Sequence, residues 1–222
     1  MKNILIAGGT DGLGFAFAKQ LDTKQYDKIF ILGRDFSKVR TLQAPRIIEL
    51  PCDITDRKAV QNSFAYIDRP LDQFVNTIGT FYRNPIDKMN TADVSRHFEL
   101  NSIANINLTN AVLGKLNSNF AEVLVCLASL ALKARENYAL QSATKAAYKY
   151  YLDVLRIEKA STLKIMTFYP SSVNTDVFKK AGDMRETSSY PSADAIASVM
   201  HFMLAQPREV YIPELEVKNF QQ

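Results

Sequence analysis

Cysteine is scarce, with only Cys52 and Cys126 in 222 residues. Each lies in or beside an apolar run that reads as a strand, so buried core thiols are expected rather than a disulfide, a redox pair or metal ligands. Histidine is equally sparse: His97 and His201 fall in separate helical stretches without carboxylate or cysteine partners at ligand spacing, and no metal site is expected. The net charge of +4 is spread along the chain, with no block of five or six like charges, which argues against nucleic-acid binding. No segment approaches the ~18 consecutive apolar residues needed to cross a bilayer, and the N-terminus enters a strand at once without a long apolar leader. No membrane association is expected. A soluble protein of the reducing cytoplasm is.

What the chain does have is enough apolar residue for one core. At 47% hydrophobic content, residues 1–222 suit a single domain that needs neither disulfide nor metal. Short apolar runs alternate with stretches of helical period, the pattern of repeated βαβ units. Strands are predicted at 3–7, 28–32, 46–50, 73–76, 122–127 and 164–169, with a last short one near 210–213. Helices are predicted at 13–21, 36–42, 57–67, 91–116, 138–159 and 193–205. Seven strands with helices on both sides give an α/β fold, a Rossmann-like doubly wound parallel sheet in a three-layer sandwich. No repeat, low-complexity tract or linker interrupts it.

The first chemical signal is Ala7-Gly8-Gly9-Thr10-Asp11-Gly12-Leu13-Gly14, directly after strand one and opening helix one. Glycine there allows a tight turn and close backbone approach to a pyrophosphate at the positive end of the helix. Gly8, Thr10, Gly12, Leu13 and Gly14 are the candidate phosphate-binding residues. The spacing Gly-x-x-x-Gly-x-Gly resembles the short-chain dehydrogenase/reductase family, with Ala7 where that family often has threonine. Further motifs follow in the family's order over nearly the whole chain. Cys52-Asp53-Ile54 resembles its adenine-binding acidic segment, and Asn76-Thr77-Ile78-Gly79 stands for its Asn-Asn-Ala-Gly. Pro170-Ser171-Ser172-Val173-Asn174-Thr175 resembles the loop that holds the nicotinamide carboxamide, which puts Pro170, Val173 and Thr175 at the cofactor. The resemblance also places Tyr82, Arg83, Ser171 and Ser172 around a small-molecule substrate pocket; as loop residues they are equally readable as ordinary solvated side chains.

The end of strand two bears on the cofactor. A carboxylate there would accept from a free 2′-hydroxyl and repel a 2′-phosphate, whereas arginine pairs with the phosphate. The chain reads Gly33-Arg34, which favours NADP(H) over NAD(H). Asp11, in the neighbouring turn, would push the other way if it faced the phosphate, and Arg34 is also readable as a solvated loop charge.

In the family the resemblance points to, a Tyr-x-x-x-Lys pair, a serine and a helix asparagine do the chemistry. Ser129, Lys145 and Asn101 match the last three. The tyrosine position is Gln141, and none of the ten tyrosines has a lysine four residues later. A glutamine amide can donate a hydrogen bond to a carbonyl but cannot release a proton, so loss of the general acid costs typically ~10² to 10⁴ in rate. Tyr138 lies seven residues before Lys145, about 10.5 Å along a continuous helix. It is readable as a substitute acid, as a wall of the pocket or as a helix-entry packing residue. Two functional readings follow: an NADP(H)-dependent oxidoreductase on a carbonyl or alcohol with low or altered activity, or an inactive NADP(H)-binding protein serving as sensor, partner or non-redox catalyst. A chain in which tyrosine was deliberately replaced would read the same way.

The helix after Gln141 carries Ala143, Ala146, Ala147, Tyr148, Tyr150, Tyr151, Leu152, Val154 and Leu155, which leaves almost no polar face. A homodimer or homotetramer through helices 91–116 and 138–159 is therefore expected, as the resemblance also implies.

Overall fold

In the computed structural model, which describes residues 1–220, seven strands form one sheet with every adjacent pair parallel. The strands are β1 (Lys2–Ala7), β2 (Tyr26–Gly33), β3 (Ile47–Pro51), β4 (Gln73–Asn76), β5 (Ala121–Cys126), β6 (Leu163–Pro170) and β7 (Glu214–Val217). Their spatial order is β3-β2-β1-β4-β5-β6-β7, so the chain reverses its direction of winding between β1 and β4. A crevice opens at the carboxyl ends of strands at such a switch point.

The helices are α1 (Gly12–Lys19), α2 (Ser37–Arg40), α3 (Arg57–Phe64), α4 (Thr91–Phe98), α5 (Asn105–Leu113), α6 (Ala139–Glu158), α7 (Val177–Lys180) and α8 (Ala193–Leu204). Because successive strand residues point to opposite faces, β1 sends Leu5 and Ala7 to one core and Ile4 and Ile6 to the other. Val60 and Phe64 of α3, Leu108 and Val112 of α5, and Tyr148 and Leu152 of α6 close the first face. Phe17 of α1 and Ile196, Ala197 and Met200 of α8 close the second. Each fully buried side chain of Leu or Phe size contributes roughly 1.5–3 kcal/mol.

The final strand is Glu214–Val217, not 210–213, because Pro213 ends a loop whose carbonyl accepts from the Thr167 backbone before pairing with β6 begins. The helix expected over 36–42 is a single turn. The long one expected over 91–116 is broken by a π-helical segment, Glu99–Ala104, and ends at Leu113 before Gly114. A π insertion adds a residue per turn without altering the apolar spacing enough to be read from sequence. The short helix Val177–Lys180 was not expected at all. Both cysteines are buried and free. Among the described residues no helix is long and apolar enough to cross a membrane, and no cluster of His, Cys, Asp or Glu could hold a metal ion.

Candidate active site

A cleft of about 650 Å³ runs along the carboxyl ends of β1, β4, β5 and β6. One end is the glycine turn. Gly8 has φ +80° and Gly12 φ +51°, values that favour glycine, and a Cβ on Gly8 would come within 2.7 Å of Thr77 Oγ1. A Cβ on Gly14 would run into the carbonyl of Gly8, so backbone and helix pack here as closely as chemistry allows.

How α1 begins is instructive. Asp56, Asn90 and Ser192 cap α3, α4 and α8 by accepting first-turn N–H groups. Asp11 occupies the equivalent position on α1 but gives no side-chain cap. Its carboxylate accepts instead from Lys38, at 2.5 Å, and from Lys180. The first N–H groups of α1 are thus left for a ligand in the cleft. Against the burial that opposes it, hydrogen bonds from Lys180 and Lys38 hold Asp11 at about 2, so it is ionised and neutralised by cations on both sides. Lys38 and Lys180 were invisible to sequence reasoning, since Lys180 lies 169 residues from its partner.

At the end of β2, Gly33 is pressed against Thr10, whose side chain would clash with any Cβ there. A side chain at position 33 would have to push the Thr10 side chain aside. Arg34 is exposed and lies 3.8 Å from Asp53, whose other oxygen accepts from the backbone N–H and hydroxyl of Thr55. Ile54, Gly79, Pro170, Ser171, Ser172, Val173 and Thr175 also line the cleft.

Two candidate residues stand behind the cleft rather than in it. Asn76 is buried, donates to Asn105 and Tyr148, and accepts from the backbone N–H of Ile78, so it fixes the turn after β4. Asn101, carried by the π segment, accepts from Thr80 N at 2.9 Å and donates to Thr80 O and Thr144 Oγ1, both at 3.3 Å. It clamps the chain next to Gly79. Lys145 then reaches forward over Gly79, where a side chain at 79 would obstruct its Nζ. Burial pushes the Lys145 ammonium below its ordinary pKa, with the Cys126 thiol as its nearest titratable partner. Burial in turn raises Cys126 to about 12, against the opposing charge of Lys145.

Gln141 lies on α6 one turn before Lys145 and lines the cleft, as does Ser129, the first residue of a 3₁₀ turn after β5. Gln141 is buried, its Oε1 has no hydrogen-bond partner, and its Nε2 makes no hydrogen bond within the described residues. Rotating the amide by half a turn would bury the donor instead, so one end is unsatisfied in either setting. An unpartnered buried polar atom costs about 1–3 kcal/mol; Oε1 is closed off from the cleft, so Nε2 is the end of the amide that a ligand can reach.

Tyr138 is the one phenol lining the cleft among the described residues. It stands at the N-terminus of α6, buried against Phe81, and its hydroxyl accepts from Arg185 Nη1 at 3.2 Å. Arg185 pairs with Asp183 and lies over Phe81 and Phe178, with its guanidinium carbon 4.9 and 4.6 Å from their ring centres. Tyr138 was readable as a wall of the pocket, but Phe81, Phe178 and Arg185 had no signal in the sequence, because they come from separate segments of the chain. Tyr82 is turned away, bonded to Asp93 and packed on His97. His201 faces the Phe17 carbonyl.

A family model described as short chain dehydrogenase matches residues 2–186. An uncharacterized oxidoreductase of Listeria monocytogenes is 27% identical, over 97% of this chain and 95% of its own length. Among solved structures, an alcohol dehydrogenase of the archaeon Thermococcus sibiricus, complexed with 5-hydroxy-NADP, superposes with a TM-score of 0.90 at 18% identity, covering 100% of this chain and 98% of its own. A short chain dehydrogenase of Burkholderia cenocepacia in complex with NADP gives a TM-score of 0.81 at 22% identity, with 98% and 94% covered. Both share the fold.

Proposed function

The chain belongs to the short-chain dehydrogenase family of oxidoreductases, and from that premise we propose that it binds NADP(H) and acts on the carbonyl or alcohol of a small molecule, at a rate limited by the amide at position 141. The Gln141 amide, which lines the same cleft as Ser129 and Lys145 and has no ionisable proton, supports this reading. It is a hydrogen-bonding site without an exchangeable acid.

The residues present fit a dinucleotide. The uncapped start of α1 and the glycine turn offer backbone N–H groups to a pyrophosphate, and Gly33 with the exposed Arg34 admits a 2′-phosphate. The NADP complexes among the structural neighbours agree with this preference. Asp11, tied to two lysines, presents no free negative charge against it. When bound, the nicotinamide supplies or accepts a hydride.

What the chain's own groups do follows from their atoms. Lys145, which reaches over Gly79, would hold the nicotinamide ribose and place a positive charge near the reacting oxygen. The Ser129 hydroxyl would donate to that oxygen, and the Gln141 amide would help to orient it. Neither can deliver a proton as the missing phenol would, since an amide does not ionise in water. The reading of an inactive nucleotide-binding protein rests on that same absence.

We propose a homodimer or homotetramer that pairs through the outer face of α5 and α6. Ala143, Ala147, Tyr150, Val154 and Ile157 are all exposed there at helical spacing, while Tyr148, Leu152 and Leu155 point into the core.

Calorimetric titration with NADPH and NADH, followed by a ketone and aldehyde panel read by NADPH absorbance, tests the function. Tight NADPH binding with slow turnover that falls further in Ser129→Ala is the expected result. NADPH binding with no turnover favours the inactive reading; no NADPH binding contradicts both.

A further inference from the structure

The head of the cleft, beyond the glycine turn, carries unneutralised positive charge. Three guanidinium groups converge on Tyr138. The guanidinium carbon of Arg83 lies 5.9 Å from its ring centre, that of Arg135 5.7 Å, and Arg185 donates to its hydroxyl. They come from three loops, 79–85, 132–138 and 182–190. One carboxylate serves them all. Asp183 pairs with Arg185, whose hydrogen bond holds its carboxyl below the ordinary range, and it also feels the charge of Arg83. Arg83 and Arg135 are exposed and pair with no carboxylate among the described residues. Glu186 turns to the backbone N–H groups of Thr187 and Ser188, and Glu136 is exposed without an ion pair. Across the rim, Lys133 and Lys218 share the single carboxylate of Glu216.

Asp11, Asp53, Asp176 and Glu216 also line the cleft, but around Tyr138 the cations outnumber the carboxylates, with Arg135 in the lining and Arg83 just outside it; a local excess of one sign of charge concentrates ligands of the other, and planar guanidinium groups match carboxylate and phosphate geometry. Arg185 is held over Phe81 and Phe178, whereas Arg83 and Arg135 lie only against the Tyr138 ring. Arginine stacked over an aromatic ring needs no ligand by itself. Two such arginines near one ring, neither in an ion pair and with only Asp183 felt by Arg83, make a local excess of positive charge.

We propose that Arg83 and Arg135 form an anion subsite above Tyr138, so that the substrate is a carbonyl or alcohol compound carrying a carboxylate or phosphate. This rests on the oxidoreductase reading for the reacting group, but its test does not require turnover.

The test titrates the NADPH-loaded protein by calorimetry at low salt with two matched pairs: levulinate against its methyl ester, and dihydroxyacetone phosphate against dihydroxyacetone. The anionic member of at least one pair should bind roughly tenfold tighter or more. Preference in the first pair identifies a carboxylate subsite, and in the second a phosphate subsite. The Arg83→Ala/Arg135→Ala protein should lose the preference while the neutral members bind as before. Arg83→Gln/Arg135→Gln, which keeps most of each stem, should do the same if the alanine protein folds poorly by circular dichroism. Equal affinity within both pairs, a preference that survives both double variants, or no binding by any probe would overturn the proposal. NADPH is titrated first. If it fails to bind, the cofactor reading fails, and the same probes added to the protein alone still decide this one.

Discussion

Lys145 occupies the space that a side chain on Gly79 would need: a Cβ on Gly79 would overlap the lysine Nζ, with Asn101 Oδ1 3.4 Å from the same notional Cβ. The glycine after β4 is therefore an opening for an ammonium group as well as part of a turn. The obstructed atom is the tip of a flexible side chain, so Gly79→Ala should change stability by less than about 1 kcal/mol. It should still weaken NADPH binding, by roughly tenfold, because the charge is displaced. Thermal unfolding and calorimetry read the two effects separately. Gly14→Ala offers the contrast: its Cβ meets the backbone carbonyl of Gly8, and both stability and binding should be lost.

Removing the arginine at the end of β2 tests the cofactor preference. Arg34→Ala should cost roughly tenfold or more in NADPH affinity and leave NADH affinity nearly unchanged, because only the former carries a phosphate to pair with. Equal losses for both nucleotides would assign Arg34 to general electrostatics instead.

Lys145 also leaves a signature in unfolding without cofactor. Its pKa in the folded protein lies below the ordinary lysine value of 10.5, so between those two values the unfolded chain binds more protons. Stability contributed by this group therefore rises with pH through that window. Below it, the buried ammonium is a net cost. Lys145→Met should accordingly be more stable than the natural chain at neutral pH, with the gap narrowing as pH rises towards 10.5. Urea denaturation of both proteins across that range measures it; a constant gap would show that the ammonium is not held against burial.

The sheet and the glycine turn were legible because both depend on local pattern: β1 alternates between two cores, and the turn needs glycine at specified backbone angles. Gln141, Lys145 and Ser129 were legible as spacing along one helix and after one strand. The cations around Asp11 were not, because Lys38 and Lys180 lie 27 and 169 residues from it in the chain and meet it only in the folded structure. Nor were Arg185 and Phe178, whose loop carries no motif. Asn76 and Asn101 were read as site residues, yet each fixes backbone at the cleft without lining it. Spacing shows proximity, not which side of a turn a side chain takes.

The apolar outer face of α6 gives a mass prediction. Val154 is 54% exposed with Tyr150 and Ile157 flanking it, and light scattering at micromolar concentration should show at least twice the chain mass. Val154→Glu should yield monomers, since it would place two like charges near a two-fold axis.

Tyr138→Phe asks whether the cleft phenol substitutes for the missing acid. Its hydroxyl is already engaged by Arg185, and the replacement should leave turnover within about twofold. A loss of a hundredfold would make Tyr138 the proton donor.

The most direct measurement is steady-state NADPH oxidation by Gln141→Tyr on the ketone and aldehyde panel, anionic members included. Lys145 is one helical turn away, so the new phenol would stand where its pKa is lowered and its proton can reach an oxygen held by Ser129. The account predicts kcat raised by ~10² to 10⁴ over the natural chain, with NADPH affinity unchanged. Turnover by the natural chain as fast as that of the tyrosine variant would contradict it.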